Sequence, residues 1–141
     1  MTANERSTNR RLHSEALRFA SVMSEAPIIF AVTGGRDYIN KQKVWDKLDK
    51  FWLKYRFNFL LHGGASGVDS FADAWCDTKP GVQSLCARAH WSRDNKAAGP
   101  IRNGMMGRLM PLRLVAFPGG TGTAHMRQVA ERLGIKIINV K

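Results

Sequence analysis

The stretch LVAFPGGTGTAHM, residues 114–126, decides the fold. Residues 114–117 form an apolar run too short for anything but a buried strand, and Pro118 and Gly119 stop it abruptly. A helical pattern follows at once. Met126, Val129, Ala130 and Leu133 fall at i, i+3, i+4 and i+7, which puts one apolar stripe against a sheet, and Gly134 ends the helix before a last strand, 135–140. A glycine-rich turn between a strand and a helix N-terminus exposes backbone N–H groups at the positive end of the helix dipole, a setting suited to a phosphate or another anion.

Working outward, the same unit recurs. Residues 27–33, PIIFAVT, read as a first buried strand ending in Gly34-Gly35-Arg36-Asp37-Tyr38. A helix capped by Asn40 carries Val44, Trp45, Leu48, Trp52 and Tyr55 inward and keeps Lys41, Lys43, Lys47, Lys50 and Lys54 on a solvated face. A second strand, 57–61, leads through the loop His62-Gly63-Gly64-Ala65-Ser66-Gly67 into a helix with Val68, Phe71, Ala72, Trp75 and Cys76 inside. A third strand, 81–87, is interrupted by Gln83 and Ser84; residues 89–100 have no clear period, and a helix from about Pro100 aligns Ile101, Met105 and Leu109 on one face. Five strands alternating with helices imply parallel βαβ units with right-handed crossovers, hence an α/β, three-layer doubly wound sandwich. If its strand order is 3-2-1-4-5, the order usual for this architecture, the switch point lies between strands one and four, and the loops at 34–36 and 118–120 face each other across one crevice. The domain runs from 27 to 141. Residues 1–26 read as a polar start followed by an appended helix, with Leu12, Ala16, Phe19 and Met23 sharing a face.

The chain has 141 residues, enough for one domain that buries roughly two-thirds of its unfolded surface. Cys76 and Cys86 are separated by nine residues, in no metal or redox spacing, and both lie in apolar patterns, so two reduced, buried thiols are expected. No run approaches the roughly 20 apolar residues of a membrane helix and no signal-peptide core opens the chain, which predicts a cytoplasmic protein with no membrane partner. The net charge of +11, from 22 Lys and Arg against 11 Asp and Glu, favours phosphorylated ligands or polyanions by long-range steering, although the basic residues are spread along the chain as a solvated surface would have them.

Two loops compete for the anion. Ser66 and Asp69 have the form of a capping box, with a carboxylate in the first turn of the helix that would repel phosphate. The helix after Thr121 has Gly122, Thr123, Ala124 and His125 in its first turn and no acid, so phosphate is assigned to residues 119–123. Asp69 either accepts sugar hydroxyls or only caps its helix. Arg36 and Arg102 are candidate phosphate or carboxylate clamps, because guanidinium offers a planar fork to two oxygens; each could instead form a surface ion pair. Asp37 could hold a ribose hydroxyl, act as acid or base, or fix its turn, and Asn103 could bond a base or ribose edge. His62 and His125 are expected to face the crevice, and Trp91 is a candidate to stack on a base. No metal spacing appears, and neither metal nor cofactor is expected.

The residues also carry a resemblance. PGGTGT followed by a helix is similar to the PGGxGTxxE signature of the LOG-type phosphoribohydrolases, in the SLOG superfamily of Rossmann-like nucleotide-binding proteins, except that Met126 stands where that signature has glutamate. Arg102 with Met106, and His62-Gly63-Gly64 with Gly67, are similar to further LOG-type blocks. Together, GGRDY (34–38), HGGASGVDSFADAW (62–75), AGPIRNGMM (98–106) and FPGGTGTAHM (117–126) resemble the YspA-like branch of that superfamily over about residues 27–141. In that branch the position of Met126 is ordinarily not glutamate.

The resemblance implies a nucleotide or nucleotide-derived ligand bound by Gly34, Gly35, Arg36, Asp37, His62, Gly63, Gly64, Asp69, Arg102, Asn103, Pro118, Gly119, Gly120, Thr121, Gly122 and Thr123, in a sensor or binding domain. The alternative is cleavage of the N-glycosidic bond of a nucleoside 5′-monophosphate. That chemistry passes through an oxocarbenium-like state served by a carboxylate, which Met126 cannot supply and for which Asp37 or Asp69, with Arg102, would have to substitute. A third reading, single-stranded nucleic-acid binding as in DprA, is favoured by the charge and by Trp91 and opposed by the dispersed lysines. Association through helices would make a homo-oligomer.

Overall fold

The structure, a computed structural model, describes residues 2–4 and 26–141. The expected appended helix around Leu12, Ala16, Phe19 and Met23 lies outside the described residues. The chain proceeds as β1 (Ile29–Thr33), α1 (Lys41–Tyr55), β2 (Phe59–His62), α2 (Val68–Cys76), β3 (Gln83–Cys86), one helical turn (Trp91–Asp94) with a 3₁₀ turn (Asn95–Ala97), α3 (Ala98–Arg108), β4 (Arg113–Ala116), α4 (Thr121–Leu133) and β5 (Lys136–Asn139). All strands are parallel, in the order β3-β2-β1-β4-β5, with Val32 opposite Val115 across the central pair. The α/β class and the 3-2-1-4-5 order are thus as expected, and the three-layer form follows from side-chain alternation. Phe30, Val32, Leu60 and Val115 point to one core with α1 and α2, whereas Ala31, Leu61 and Leu114 point to the other with α3 and α4.

Local chemistry explains the boundaries. The Asn40 side chain accepts from the Lys43 N–H at 3.1 Å and caps α1, which stops at Arg56 in the left-handed region (φ 51°). Its fully inward stripe is Val44, Leu48 and Phe51, while Trp45, Trp52 and Tyr55 are half-buried; Phe51 is a core residue that the sequence reading passed over. Gly134, at φ 72°, ends α4 as a left-handed C-cap. β1, β2, β3 and β5 are shorter than expected, and His62 belongs to the end of β2 rather than to the loop.

Two expectations are corrected. Cys76 is buried, and burial pushes its thiol up to about 12, but Cys86 is exposed. On α3 the expected apolar face is the outer one: Ile101, Met105 and Leu109 are each about half exposed, and the face turned inward carries Ala98, Gly99, Asn103, Met106 and Gly107. The reason is close helix packing. A Cβ on Gly107 would stand 2.6 Å from Val129 and 2.7 Å from Leu133, so α3 approaches α4 through its small residues.

Candidate functional site

The loops after β1, β2 and β4 leave the C-terminal edge of the sheet together, where a parallel sheet of this order opens its crevice. They are locked to one another through backbone. The Gly35 N–H donates to the Pro118 carbonyl at 2.9 Å, the Val68 N–H to the Gly35 carbonyl at 3.2 Å, and the Ser66 hydroxyl to the Arg36 carbonyl at 2.9 Å. Between the loops lies a cavity of about 450 Å³. Gly34, Gly35, Arg36 and Asp37 line it from the first loop, Asp69 and Arg102 from α2 and α3, and Gly120, Thr121, Gly122 and Thr123 from the start of α4. Pro118 and Gly119 instead line a shallower neighbouring cleft, and Gly63 and Gly64 a third cavity.

The N-terminus of α4 has no side-chain cap and no acid in its first turn. Its first backbone bond runs from the Ala124 N–H to the Gly120 carbonyl at 3.0 Å, so the N–H groups before it open onto the cavity at the positive end of the helix dipole. Gly120 and Gly122 sharpen the point. A Cβ at either position would meet nothing within 4 Å, and neither has a positive φ, so the fold itself does not require glycine there. A ligand approaching the backbone closely would.

Asp69 does not form the expected capping box. Gly67, not Ser66, is the N-cap of α2, with no side-chain bond, because the Ser66 hydroxyl is turned to Arg36. The Asp69 carboxylate is folded back under its own loop, where Oδ2 accepts from the Gly63 and Ala65 N–H groups, each at 3.2 Å. Its Oδ1 has no hydrogen-bond partner among the described residues although Asp69 is only 7% exposed. A buried acceptor left unpaired is costly, and Asp69 is one of the residues that line the cavity. Burial pushes the Asp69 carboxyl up, against the pull of the Ala65 N–H, His62, Arg102 and the Gly63 N–H.

Arg102 faces it from α3. Its Nη1 donates to the Gly63 carbonyl at 2.9 Å and its Nε to Asn103 Oδ1 at 3.0 Å, while Nη2 makes no hydrogen bond among the described residues. Gly63 is required for this approach, since a Cβ there would lie 2.5 Å from Nη1. Burial holds the Arg102 pKa below its ordinary value, Asp69 opposes that effect and the neighbouring Arg36 reinforces it, which leaves a half-buried positive charge that an anion would relieve.

Other candidates stand behind the site rather than in it. Asn103 is buried; its amide N–H₂ donates to the Gly122 carbonyl at 3.2 Å and meets His125 Nδ1 at 3.1 Å, and its oxygen is held by Arg102. It ties Arg102 to the start of α4 instead of offering an edge to a base. His125, correspondingly, is turned to Asn103. His62 is buried below the second loop, not in the crevice. The Gly64 N–H can only donate, so His62 Nδ1 accepts from it at 3.0 Å and Nε2 carries the proton toward Ser84 Oγ at 2.8 Å and Asp73 at 3.3 Å. The Ser84 hydroxyl itself donates to Asp73. His62 therefore offers that serine a proton rather than a lone pair, and the hydroxyl is held by Asp73, as in a structural network. Trp91 carries the Arg36 guanidinium over its ring, 5.3 Å from the centroid, in the place where a base was expected. Among the described residues no group of three or more His, Cys, Asp or Glu could hold a metal, and no helix is long and apolar enough to cross a membrane.

A family model described as the YspA, cpYpsA-related SLOG family matches residues 28–93, the part that carries β1 to β3 and the first two glycine loops. A relative, the Gene 61 protein of Mycobacterium phage D29, is 36% identical over 115 residues, covering 77% of this chain and 92% of its own length. The chain belongs to the YspA-like branch of the SLOG superfamily. Membership in SLOG points, at the level of the family, to a nucleotide-related ligand. In this SLOG domain Met126 is fully buried, among Leu114, Met106 and Ala130, so its position on α4 turns into the core. Arg88, which lines the third cavity beside Arg36 and Arg102, is a residue that the sequence reading missed: a single arginine after a short strand has no pattern to mark it.

Proposed function

We propose that this SLOG domain binds a nucleotide-derived ligand in the crevice between the loops after β1, β2 and β4, as a binding or sensor domain rather than a hydrolase. The phosphate takes the uncapped N-terminus of α4, with Arg102 and Arg36 beside it, and a ribose hydroxyl donates to Asp69. The observation that carries this reading is the buried, unpaired Oδ1 of Asp69, a residue that lines the same cavity as a free helix N-terminus. The two meet the two ends of a ribose phosphate: an acceptor for hydroxyls and a row of donors for an anion. Hydrolysis is disfavoured because the position used by the LOG-type glutamate is a core methionine. Asp69 holds two backbone N–H groups and so serves as a fixed acceptor.

Asp69 gives the test. A ribonucleoside 5′-monophosphate is expected to bind roughly 10- to 100-fold more tightly than its 2′,3′-dideoxy analogue, the value of about one hydrogen bond to a charged group. In Asp69→Asn that ratio should fall toward one. The advantage should also shrink as pH is lowered through the raised pKa of Asp69, because protonation removes the charge that the hydroxyl meets. Stability runs the opposite way. A carboxyl with a raised native pKa favours the folded state below its ordinary value of 3.8, and that contribution is lost as pH rises through the raised value, a slope that Asp69→Asn should lack. Equal wild-type affinity for the ribo and dideoxy ligands would remove Asp69 from the site.

A further inference from the structure

The cavity behind Arg102 holds a second concentration of positive charge. It measures about 250 Å³ and is lined by Arg36, Arg88 and Arg102 with Trp91 and the Gly63-Gly64 backbone, and no carboxylate lines it. Among the described residues none of the three arginines forms an ion pair. Three guanidinium groups around one small space repel one another, and the arrangement is relieved when an anion sits between them. One of them also lies against an aromatic face, the Arg36 guanidinium standing 5.3 Å from the Trp91 ring centroid. Arg36 and Arg102 belong to this cavity and to the main crevice alike, so the two spaces adjoin and share two donors.

We infer that the ligand carries two linked phosphates, one on the N-terminus of α4 and the next between Arg36, Arg88 and Arg102. A pyrophosphate fits this layout because adjacent phosphates can share a bridging arginine, whereas two independent anions would need separate clamps. Arg88 is then a specificity residue for the second phosphate, and Trp91 a positioning residue that acts through Arg36. The inference rests on the crevice reading above and narrows its ligand to nucleoside diphosphates and their pyrophosphate-linked derivatives.

The test sets the four ribonucleoside 5′-monophosphates against the corresponding 5′-diphosphates, with a short 5′-phosphorylated single-stranded oligonucleotide as a further arm, on the full chain and on Arg88→Ala. Arg88 is exposed, so the variant should fold. For whichever base binds, the diphosphate should bind about tenfold or more tightly than the monophosphate, the worth of one charged contact. Arg88→Ala should weaken the diphosphate about tenfold or more and bring that ratio to about one, with a much smaller loss for the monophosphate. Equal affinity for mono- and diphosphate in the wild type overturns the inference and leaves the crevice reading standing, as does an Arg88→Ala variant that weakens both alike. Binding of neither overturns both. An oligonucleotide that binds more tightly than every diphosphate and is lost steeply with salt would assign the arginines to a nucleic-acid strand instead.

Discussion

Gly120→Asp should abolish nucleotide binding while leaving the protein as stable as before or slightly more stable. The position is the N-cap of α4, its φ of −94° suits any residue, and a Cβ there meets nothing within 4 Å, so the substitution fits. Aspartate is a better N-cap than glycine by a few tenths of a kcal/mol, and its carboxylate would take the N–H groups left free in the wild type. Those are the donors assigned to phosphate. A fixed negative charge about 4 Å from a phosphate costs on the order of 4 kcal/mol at an effective dielectric constant of about 20, which corresponds to a loss of roughly a thousandfold in affinity. Calorimetric titration together with a thermal melt reads both quantities on one sample. Wild-type affinity in a folded Gly120→Asp protein would move the phosphate elsewhere.

Gly67→Ala should have the opposite profile, a large loss of stability at a position that does not line the main crevice. Gly67 stands at φ 73° and ψ −127°, which side chains rarely adopt, and its added Cβ would lie 2.1 Å from the Gly35 carbonyl oxygen and 2.7 Å from backbone atoms of Arg36. Backbone cannot swing aside as a side chain can. Strain of about 1–3 kcal/mol adds to an overpacking cost of about 1–3 kcal/mol, against a total stability of about 5–15 kcal/mol for a domain of this kind. The denaturant midpoint should fall accordingly. Since the first and second loops meet here, the residual folded protein should also bind nucleotide less well. A midpoint within error of the wild type would show that the interlocking of these loops is not rigid.

The architecture was legible in the sequence because each unit carries its own punctuation. Pro118-Gly119, Gly34-Gly35 and His62-Gly63-Gly64 each stop a short apolar run, and parallel order then follows from alternation. That the shared apolar face of α3 turns outward was not legible, for a physical reason. Periodicity weighs bulky residues, and Ile101, Met105 and Leu109 are bulky, but this helix meets α4 through Gly107 and Asn103, which leave no hydrophobic signal. The site was legible as a set of loops and less so as a set of side chains. A Ser-x-x-Asp spacing is the pattern of a capping box, yet the positive φ of Gly67 moves the cap by one residue and frees Asp69 to bind Gly63 and Ala65. His62, Asn103 and His125 are polar residues near glycine loops, which in sequence looks the same whether they face a ligand or hold the loop from behind. Their partners, Ser84, Gly122 and one another, are about 20 residues away in the chain and emerge only from the packing.

The net charge of +11 bears on the same site through two different binding modes. A polyanion that tracks several dispersed cations releases counterions at each contact and loses affinity steeply with salt, whereas a mononucleotide seated in the crevice does not. The most direct measurement is therefore a thermal melt with nucleoside mono- and diphosphates and a short single-stranded oligonucleotide, at low and at physiological salt. The account predicts that a nucleotide raises the melting temperature at both salt concentrations, with about 2.7 kcal/mol of added stability at a hundred times its dissociation constant. A shift produced by the oligonucleotide alone, and only at low salt, would contradict it and place the binding on the basic surface.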